Sequence, residues 1–221
     1  MKTRNLIIVA GGSGSRMKSE IPKQFIVINN LPIVMHTINL FYQFDKNLNI
    51  VLVLPENQIE YWSKLVEKYN FKIKTEIAKG GNTRFESVKS GLAFIKEGIV
   101  GIHDAVRLFV SLQTIQNAYD TAERLSNAIP VIAPNESLRI IDSISNKHID
   151  RKNIRIVQTP QCFEANLLKN AYNQPYSEVF TDDASVVESF GANINLTEGN
   201  IENIKITTPF DLKIAAVLLN N

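Results

Sequence analysis

Leu6-Ile7-Ile8-Val9-Ala10 runs into Gly11-Gly12-Ser13-Gly14-Ser15-Arg16-Met17, and Pro22-Lys23-Gln24-Phe25 follows shortly after. A short apolar run opening into glycines reads as a buried strand and the turn behind it. Glycines let the backbone bend and approach a ligand closely, so main-chain N–H groups can point at phosphate oxygens. Arg16 and Lys23 flank that turn, where two cations can neutralise charge that builds up in phosphoryl or nucleotidyl transfer. Two other glycine loops are excluded. No Gly-Lys-Ser/Thr occurs, which rules out a P-loop. A dinucleotide fingerprint would need glycine where Met17 stands, and an acid about 20 residues on, where Leu31-Pro32-Ile33-Val34 lies. An ordinary strand-to-helix turn with solvated charges is the plain alternative, and the joint placement of Arg16 and Lys23 argues against it.

Outward from this loop, apolar β-branched runs at 5–10, 49–54, 73–77, 99–103 and 128–132 alternate with helical spacing at 33–44, 58–69, 83–96 and 111–125. Such alternation predicts an α/β fold, a doubly wound and mostly parallel sheet with helices on both faces. Folds of this kind bind ligands beyond the carboxyl ends of their strands. The glycine loop, Gly80-Gly81 and Asp104 all fall there. The alternation breaks at 134–160, where 137–142 and 148–157 read as two strands around a Ser145-Asn146-Lys147 turn, an inserted β-arm. Helices are expected at 164–172, 182–190 and 209–219, with a last strand at 194–196. No linker or repeat divides the chain, so residues 1–221 are expected to form a single domain.

A length of 221 residues suffices for one sizeable core. A net charge of +2 gives no support for a nucleic-acid surface, so anion binding must come from local placement of cations. The single cysteine, Cys162, rules out an internal disulfide and suits a reducing compartment. His36, His103 and His148 have no partners at metal-ligand spacing. No stretch is long and apolar enough for a signal peptide or a membrane span, so the expectation is a soluble, cytoplasmic chain.

Further clusters sit at the strand ends. Gly80-Gly81-Asn82-Thr83-Arg84-Phe85-Glu86-Ser87 pairs glycines with a helix start, and its N–H groups and the Ser87 hydroxyl could satisfy the edge of a nucleobase while Arg84 packs the loop; for this cluster alone, an ordinary glycine turn before a capped helix is the plainer reading. In His103-Asp104-Ala105-Val106-Arg107, the Asp can contact a substrate hydroxyl or a Mg²⁺ held by phosphates, because Mg²⁺ needs only one or two carboxylates. An Asp–Arg pair that merely fixes the loop is the equal alternative. Asp150-Arg151 and Thr159-Pro160-Gln161 flank the return of the arm, and Arg is well suited to a phosphate monoester through its planar fork. Lys205 stands in Asn203-Ile204-Lys205-Ile206-Thr207, just before the closing helix.

Taken in order, these motifs, with Gln158-Thr159-Pro160-Gln161 and Thr181-Asp182-Asp183-Ala184-Ser185, resemble the 2-C-methyl-D-erythritol 4-phosphate cytidylyltransferases of non-mevalonate isoprenoid synthesis over essentially the whole chain. The resemblance implies that CTP lies over Ala10, Gly11, Gly12 and Gly14, with Gly81, Asn82 and Ser87 near the cytosine. Arg16 and Lys23 would stabilise the transition state at the α-phosphate. Arg151 and Lys205 would position the phosphate of the substrate, with Asp104, Arg107, Ser137 and Thr159 lining the substrate side. Mg²⁺ would be held mainly by the CTP phosphates, with Asp104 as the candidate carboxylate. In this family the arm crosses a homodimer, so Ser137 and Arg151 would serve the site of the partner. The chain departs from the usual pattern at Glu136-Ser137, where Asp-Thr is general, and at Val106 and Leu108, where Ala and Pro are more usual. The Asp104 loop also resembles the ribitol-5-phosphate cytidylyltransferases, which stand as the alternative. A non-catalytic nucleotide-binding module is the other, although it would be expected to lack the loop cations.

Overall fold

A computed structural model of the chain describes residues 2–12 and 21–220. The elements run β1 (Arg4–Val9), β2 (Val27–Ile28), β3 (Leu31–Pro32), α1 (Ile33–Phe44), β4 (Asn49–Leu54), α2 (Glu56–Lys68), β5 (Glu76–Lys79), α3 (Arg84–Leu92), β6 (Ile99–Asp104), α4 (Leu112–Leu125) and β7 (Asn127–Ile132). Then come β8 (Leu138–Ile141), β9 (Asn146–Ile149), β10 (Ile156–Val157), β11 (Gln161–Glu164), α5 (Ala165–Ala171), α6 (Asp183–Ser189), β12 (Leu196–Glu198) and α7 (Pro209–Leu218).

Among the described residues, the central sheet runs β5-β4-β1-β6-β11-β7, with β10 on β7 beside β11 and β12 also paired to β7. Strands β5, β4, β1 and β6 are parallel, and β11 is wedged antiparallel between β6 and β7. The expected mostly parallel α/β sheet is present. Strand β1 is central and covered on both sides, which is why Leu6, Ile7 and Ile8 are all fully buried rather than alternating with polar residues. The period of two sorts them between layers. Leu6 and Ile8 pack with Val34 and Ile38 of α1, Trp62 of α2 and Tyr119 of α4. Ile7 packs on the other face with Val88 of α3, Leu168 of α5 and Val187 of α6. Gly91 lets α3 approach closely, since a Cβ there would lie 2.8 Å from Ile7 Cγ2 and 3.1 Å from Val53 Cγ2.

Several boundaries differ from the sequence reading, and four of them have a physical reason in the structure. The strand expected at 73–77 is Glu76–Lys79, because pairing with β4 begins only at Val51 opposite Glu76. The helix expected at 83–96 ends at Leu92, beyond which Phe94 and Ile95 bond three residues back, to Gly91 and Leu92. In the arm, Leu138–Ile149 and Ile141–Asn146 set the register, so the turn is 142–145. The Asp142 carboxylate accepts the N–H groups of Ile144 at 2.9 Å and Ser145 at 2.6 Å, which fixes that turn. The second expected strand of the arm is split by a 3₁₀ turn at Arg151–Asn153, where Asp150 accepts the Lys152 N–H at 3.0 Å.

The Val106 and Leu108 departures have a structural reason. Both are buried in a small third core with Ile28, Ile33, Ile206 and Ala215, under α7. Among the described residues, no helix is long and apolar enough to cross a membrane.

Candidate active site

A cleft opens at the carboxyl ends of β1 and β6, where the Val9–Asp104 pair closes the register. Its lining includes Ala10, Gly11, Gly12, Lys23, Gly81, Asn82, Arg84, Ser87, Asp104 and Lys205. Segments from five parts of the chain therefore converge on one cavity. Arg16 and Gly14 lie outside the described residues.

Each wall is set by local chemistry. Gln24 is buried and donates through Nε2 to the Ala10 carbonyl at 2.7 Å and to Gln58 Oε1 at 2.6 Å, which ties the turn after Pro22 beneath the glycine loop. Lys23 lies against that loop, since a Cβ on Gly12 would sit 3.3 Å from Lys23 Cε and 3.6 Å from Nζ. On the facing wall, Thr83 caps α3. Its hydroxyl accepts the Glu86 N–H at 3.0 Å, while the Glu86 carboxylate accepts the N–H groups of Asn82 at 2.6 Å and Thr83 at 3.0 Å. Ser87 Oγ donates to the Thr83 carbonyl at 2.9 Å and accepts the Gly81 N–H at 3.2 Å. The N–H groups read from sequence as open to a base edge are thus taken up within the loop, those of Asn82 and Thr83 by Glu86 and that of Gly81 by Ser87. Among the described bonds, the carbonyls of Gly81 and Asn82 accept nothing.

Sequence reading missed what anchors Arg84. Its guanidinium makes a two-pronged pair with Asp183, at 2.8 Å and 2.5 Å, and the Tyr172 hydroxyl donates to the same carboxylate at 2.6 Å. Burial disfavours the charge on Arg84, and Asp183 more than restores it, so the group stays cationic. The pair spans 99 positions of chain, beyond any local pattern, although Thr181-Asp182-Asp183 stood out as a motif.

The Asp104 loop is the most tightly held part of the cleft. Asp104 Oδ2 accepts from Arg107 Nε at 3.0 Å and pairs with Lys205 Nζ at 3.1 Å. Burial alone would raise the Asp104 pKa, but Lys205, Arg84 and Arg107 outweigh it and hold the carboxyl well below its usual range. Arg107 Nη1 donates to the Asn203 carbonyl at 2.7 Å. The Ala105 N–H reaches the Val9 carbonyl at 3.1 Å, Thr37 Oγ1 donates to the Ala105 carbonyl at 2.8 Å, and the Ile206 N–H donates to the Val106 carbonyl at 3.0 Å. His103 is fully buried, and burial pushes its pKa down to about 4, so the ring is neutral.

The remaining sequence candidates lie elsewhere. Thr159 is buried behind the loop, with its hydroxyl bonded to His103 and to the Asp104 N–H. Ser137 and Arg151 are exposed on the arm, and Arg151 Nη1 donates to the Asn135 carbonyl at its base. Among the described residues, no group of three His, Cys, Asp or Glu is placed to hold a metal ion, and Asp104 is the one carboxylate lining the cleft.

The family model for 2-C-methyl-D-erythritol 4-phosphate cytidylyltransferase matches residues 5–221. The chain belongs to this family. It is 52% identical to the cytidylyltransferase of that name from Phocaeicola vulgatus, over 98% of this chain and 99% of the relative. The cytidylyltransferase structure from Francisella tularensis is similar at 29% identity and a TM-score of 0.78, covering 96% of this chain and 98% of that one. The 4-diphosphocytidyl-2C-methyl-D-erythritol synthase structure from Anaerococcus prevotii, at 24% identity, shares the fold with a TM-score of 0.84, over 100% of this chain and 97% of that one. Membership in the methylerythritol cytidylyltransferase family favours the methylerythritol reading over the ribitol enzyme and over a non-catalytic module.

Proposed function

We propose that this chain transfers CMP from CTP to 2-C-methyl-D-erythritol 4-phosphate and releases pyrophosphate. The observation that carries this reading is the convergence, in one cleft, of Lys23 over Gly12, the capped 80–87 loop and the Asp104–Lys205 pair.

In the reaction, an oxygen of the substrate phosphate attacks the α-phosphorus of CTP in line. A new P–O bond forms, the α–β bridging P–O bond breaks, and pyrophosphate leaves with the electron pair. No general base is needed, because the attacking phosphate oxygen is already anionic at neutral pH. Ala10, Gly11, Gly12 and Gly14 receive the triphosphate. Among the described bonds, the N–H groups of Gly11 and Gly12 donate to nothing within the chain, which suits them to phosphate oxygens. Arg16 and Lys23 neutralise charge at the reacting phosphorus. The carbonyls of Gly81 and Asn82 offer acceptors to the amino group of cytosine, where uracil would present another acceptor. Ser87 orders that loop from within. Lys205 and Asp104 form the substrate side, with Arg107 fixing Asp104.

Mg²⁺ fits this donor set as an ion held mainly by phosphates and water, with a single protein carboxylate, Asp104, in reach of the cleft. When bound, it would supply charge neutralisation on the triphosphate. The arm supports a homodimer. Its hairpin leaves Ile140, Ile141 and Ile144 exposed, at 59%, 78% and 94%, a set of side chains that a second copy would cover. Ser137 and Arg151 then serve the site of the partner. If so, mixing Arg151→Ala with Lys23→Ala subunits restores part of the activity; confirmed mixed dimers without recovery would exclude the crossing.

The test of the reaction is pyrophosphate release from CTP with Mg²⁺ and methylerythritol phosphate, repeated with ribitol 5-phosphate. Release with the first and not the second is expected. Release with ribitol 5-phosphate alone would overturn the assignment.

A further inference from the structure

The reaction scheme gives no role to His103, although its ring is the hub of the Asp104 loop. Nε2 lies 2.8 Å from the Arg107 carbonyl oxygen, and a carbonyl only accepts, so Nε2 carries the ring proton and donates it. Nδ1 is then an acceptor, 2.9 Å from Thr159 Oγ1. The single hydroxyl proton of Thr159 is therefore directed at Nδ1, and its oxygen accepts the Asp104 N–H at 3.2 Å. The chain of bonds has one sense throughout, from the Asp104 N–H through Thr159 and His103 to the Arg107 carbonyl. It joins the start of the loop to its end.

The surroundings hold the hub in place. The Phe41 ring meets the imidazole edge-on at 4.7 Å between centroids. Asn203 Nδ2 donates to the Thr159 carbonyl at 2.9 Å, and the Asn203 carbonyl receives Arg107 Nη1. Neither His103 nor Thr159 lines the cleft, whereas Asp104, Ala105, Val106 and Lys205 do. What the cleft receives is the consequence of this arrangement, an Asp104 carboxylate aimed so that Oδ2 holds Lys205 Nζ at 3.1 Å.

We infer that His103 and Thr159 act as a positioning relay that fixes Asp104 and, through it, Lys205 for the phosphate of the polyol substrate. Thr159 then works from behind the loop and does not contact the substrate. The inference rests on the assignment of Lys205 to the substrate phosphate made above.

Thr159→Val keeps the shape, removes the hydroxyl and strands both the Asp104 N–H and His103 Nδ1, while Thr159→Ser keeps the hydroxyl. Steady-state pyrophosphate release is measured with each substrate varied in turn, and thermal unfolding is followed for each variant. The expected result for Thr159→Val is a KM for methylerythritol phosphate raised on the order of tenfold, with the KM for CTP moved less than about twofold. Thr159→Ser should return near wild type. A merely structural role would move both KM values together, and that outcome overturns the relay. So does an unchanged Thr159→Val, or a Thr159→Ser as impaired as Thr159→Val. Should Thr159→Val fail to fold, the same split is read from His103→Gln, which keeps an amide N–H for the Arg107 carbonyl but loses the ring acceptor. Wild-type enzyme that releases no pyrophosphate would instead sink the reaction assignment.

Discussion

Around the cleft, charged groups find their partners inside the chain: Arg84 with Asp183, Asp104 with Arg107 and Lys205, and the Glu86 carboxylate with two backbone N–H groups. The arm is built the other way. Its hairpin turns isoleucines to solvent, and Arg151 is steadied by a backbone carbonyl at the arm's foot. The first region is preorganised, so that its dipoles need not rearrange as charge develops in the reaction. The second, on the homodimer proposed above, would be completed by another copy of the chain. Damage to the cleft should therefore register in a single folded chain, and damage to the arm only in assembly and catalysis.

The sharpest break in that contrast would come from Lys23. Lys23→Ala should lower kcat on the order of 10²–10³ while leaving the thermal unfolding midpoint close to wild type. Near-normal turnover would remove Lys23 from the reacting phosphorus. Asp183→Ala should cost about 3 kcal/mol of stability by urea unfolding, the lower end for breaking a buried pair because Arg84 is 30% exposed and can reach water. A loss under about 1 kcal/mol would mean that the cleft wall does not depend on this pair.

The pH dependence is a smaller effect with a definite sign. His103 has its pKa lowered from 6.5 to about 4 in the folded chain, so between these values the unfolded chain binds the extra proton. Its contribution is fully present above about pH 6.5 and is lost as pH falls towards 4, amounting to about 2 kcal/mol by pH 4.5. Urea unfolding across this range should show the loss in wild type and a shallower slope in His103→Gln; parallel slopes would refute it. Smallest of all is Ile144→Ser, at a side chain that is 94% exposed. Chain stability should change by less than about 0.5 kcal/mol, whereas sedimentation should show weakened self-association. Unaltered association would leave the arm without its proposed partner.

Much of the architecture was legible because it is local. The helix Ile33–Phe44 and the strand Asn49–Leu54 have the bounds that periodicity assigns them. Strand β11 was not legible. Gln161-Cys162-Phe163 are buried on both faces, so no alternation marks them, and they run directly into α5. The same holds for the site. Gly11, Gly81, Asp104 and Lys205 announced themselves by residue type beside strand ends, and the cleft gathers them. The hydroxyl of Thr159 and the ring of His103 meet across 56 positions, a contact made by β11 reversing against β6, and no spacing rule reports that. The capping box was visible as Thr83 and Glu86, yet its effect on the base loop, turning N–H groups inward, emerged only from the bonds themselves.

The feet of the arm carry one further consequence. The chain departs beyond Ile132 and returns at Ile156, and these two residues are ladder partners, as are Val131 and Val157. An excursion that begins and ends on the same rung can be lengthened, shortened or rewritten without shifting the strands beneath it. The arm is thus attached to the sheet at one place, its two feet held as neighbours on adjoining strands. A lineage could rewrite residues 134–155 while the strands that carry the glycine loop and Asp104 are inherited unchanged.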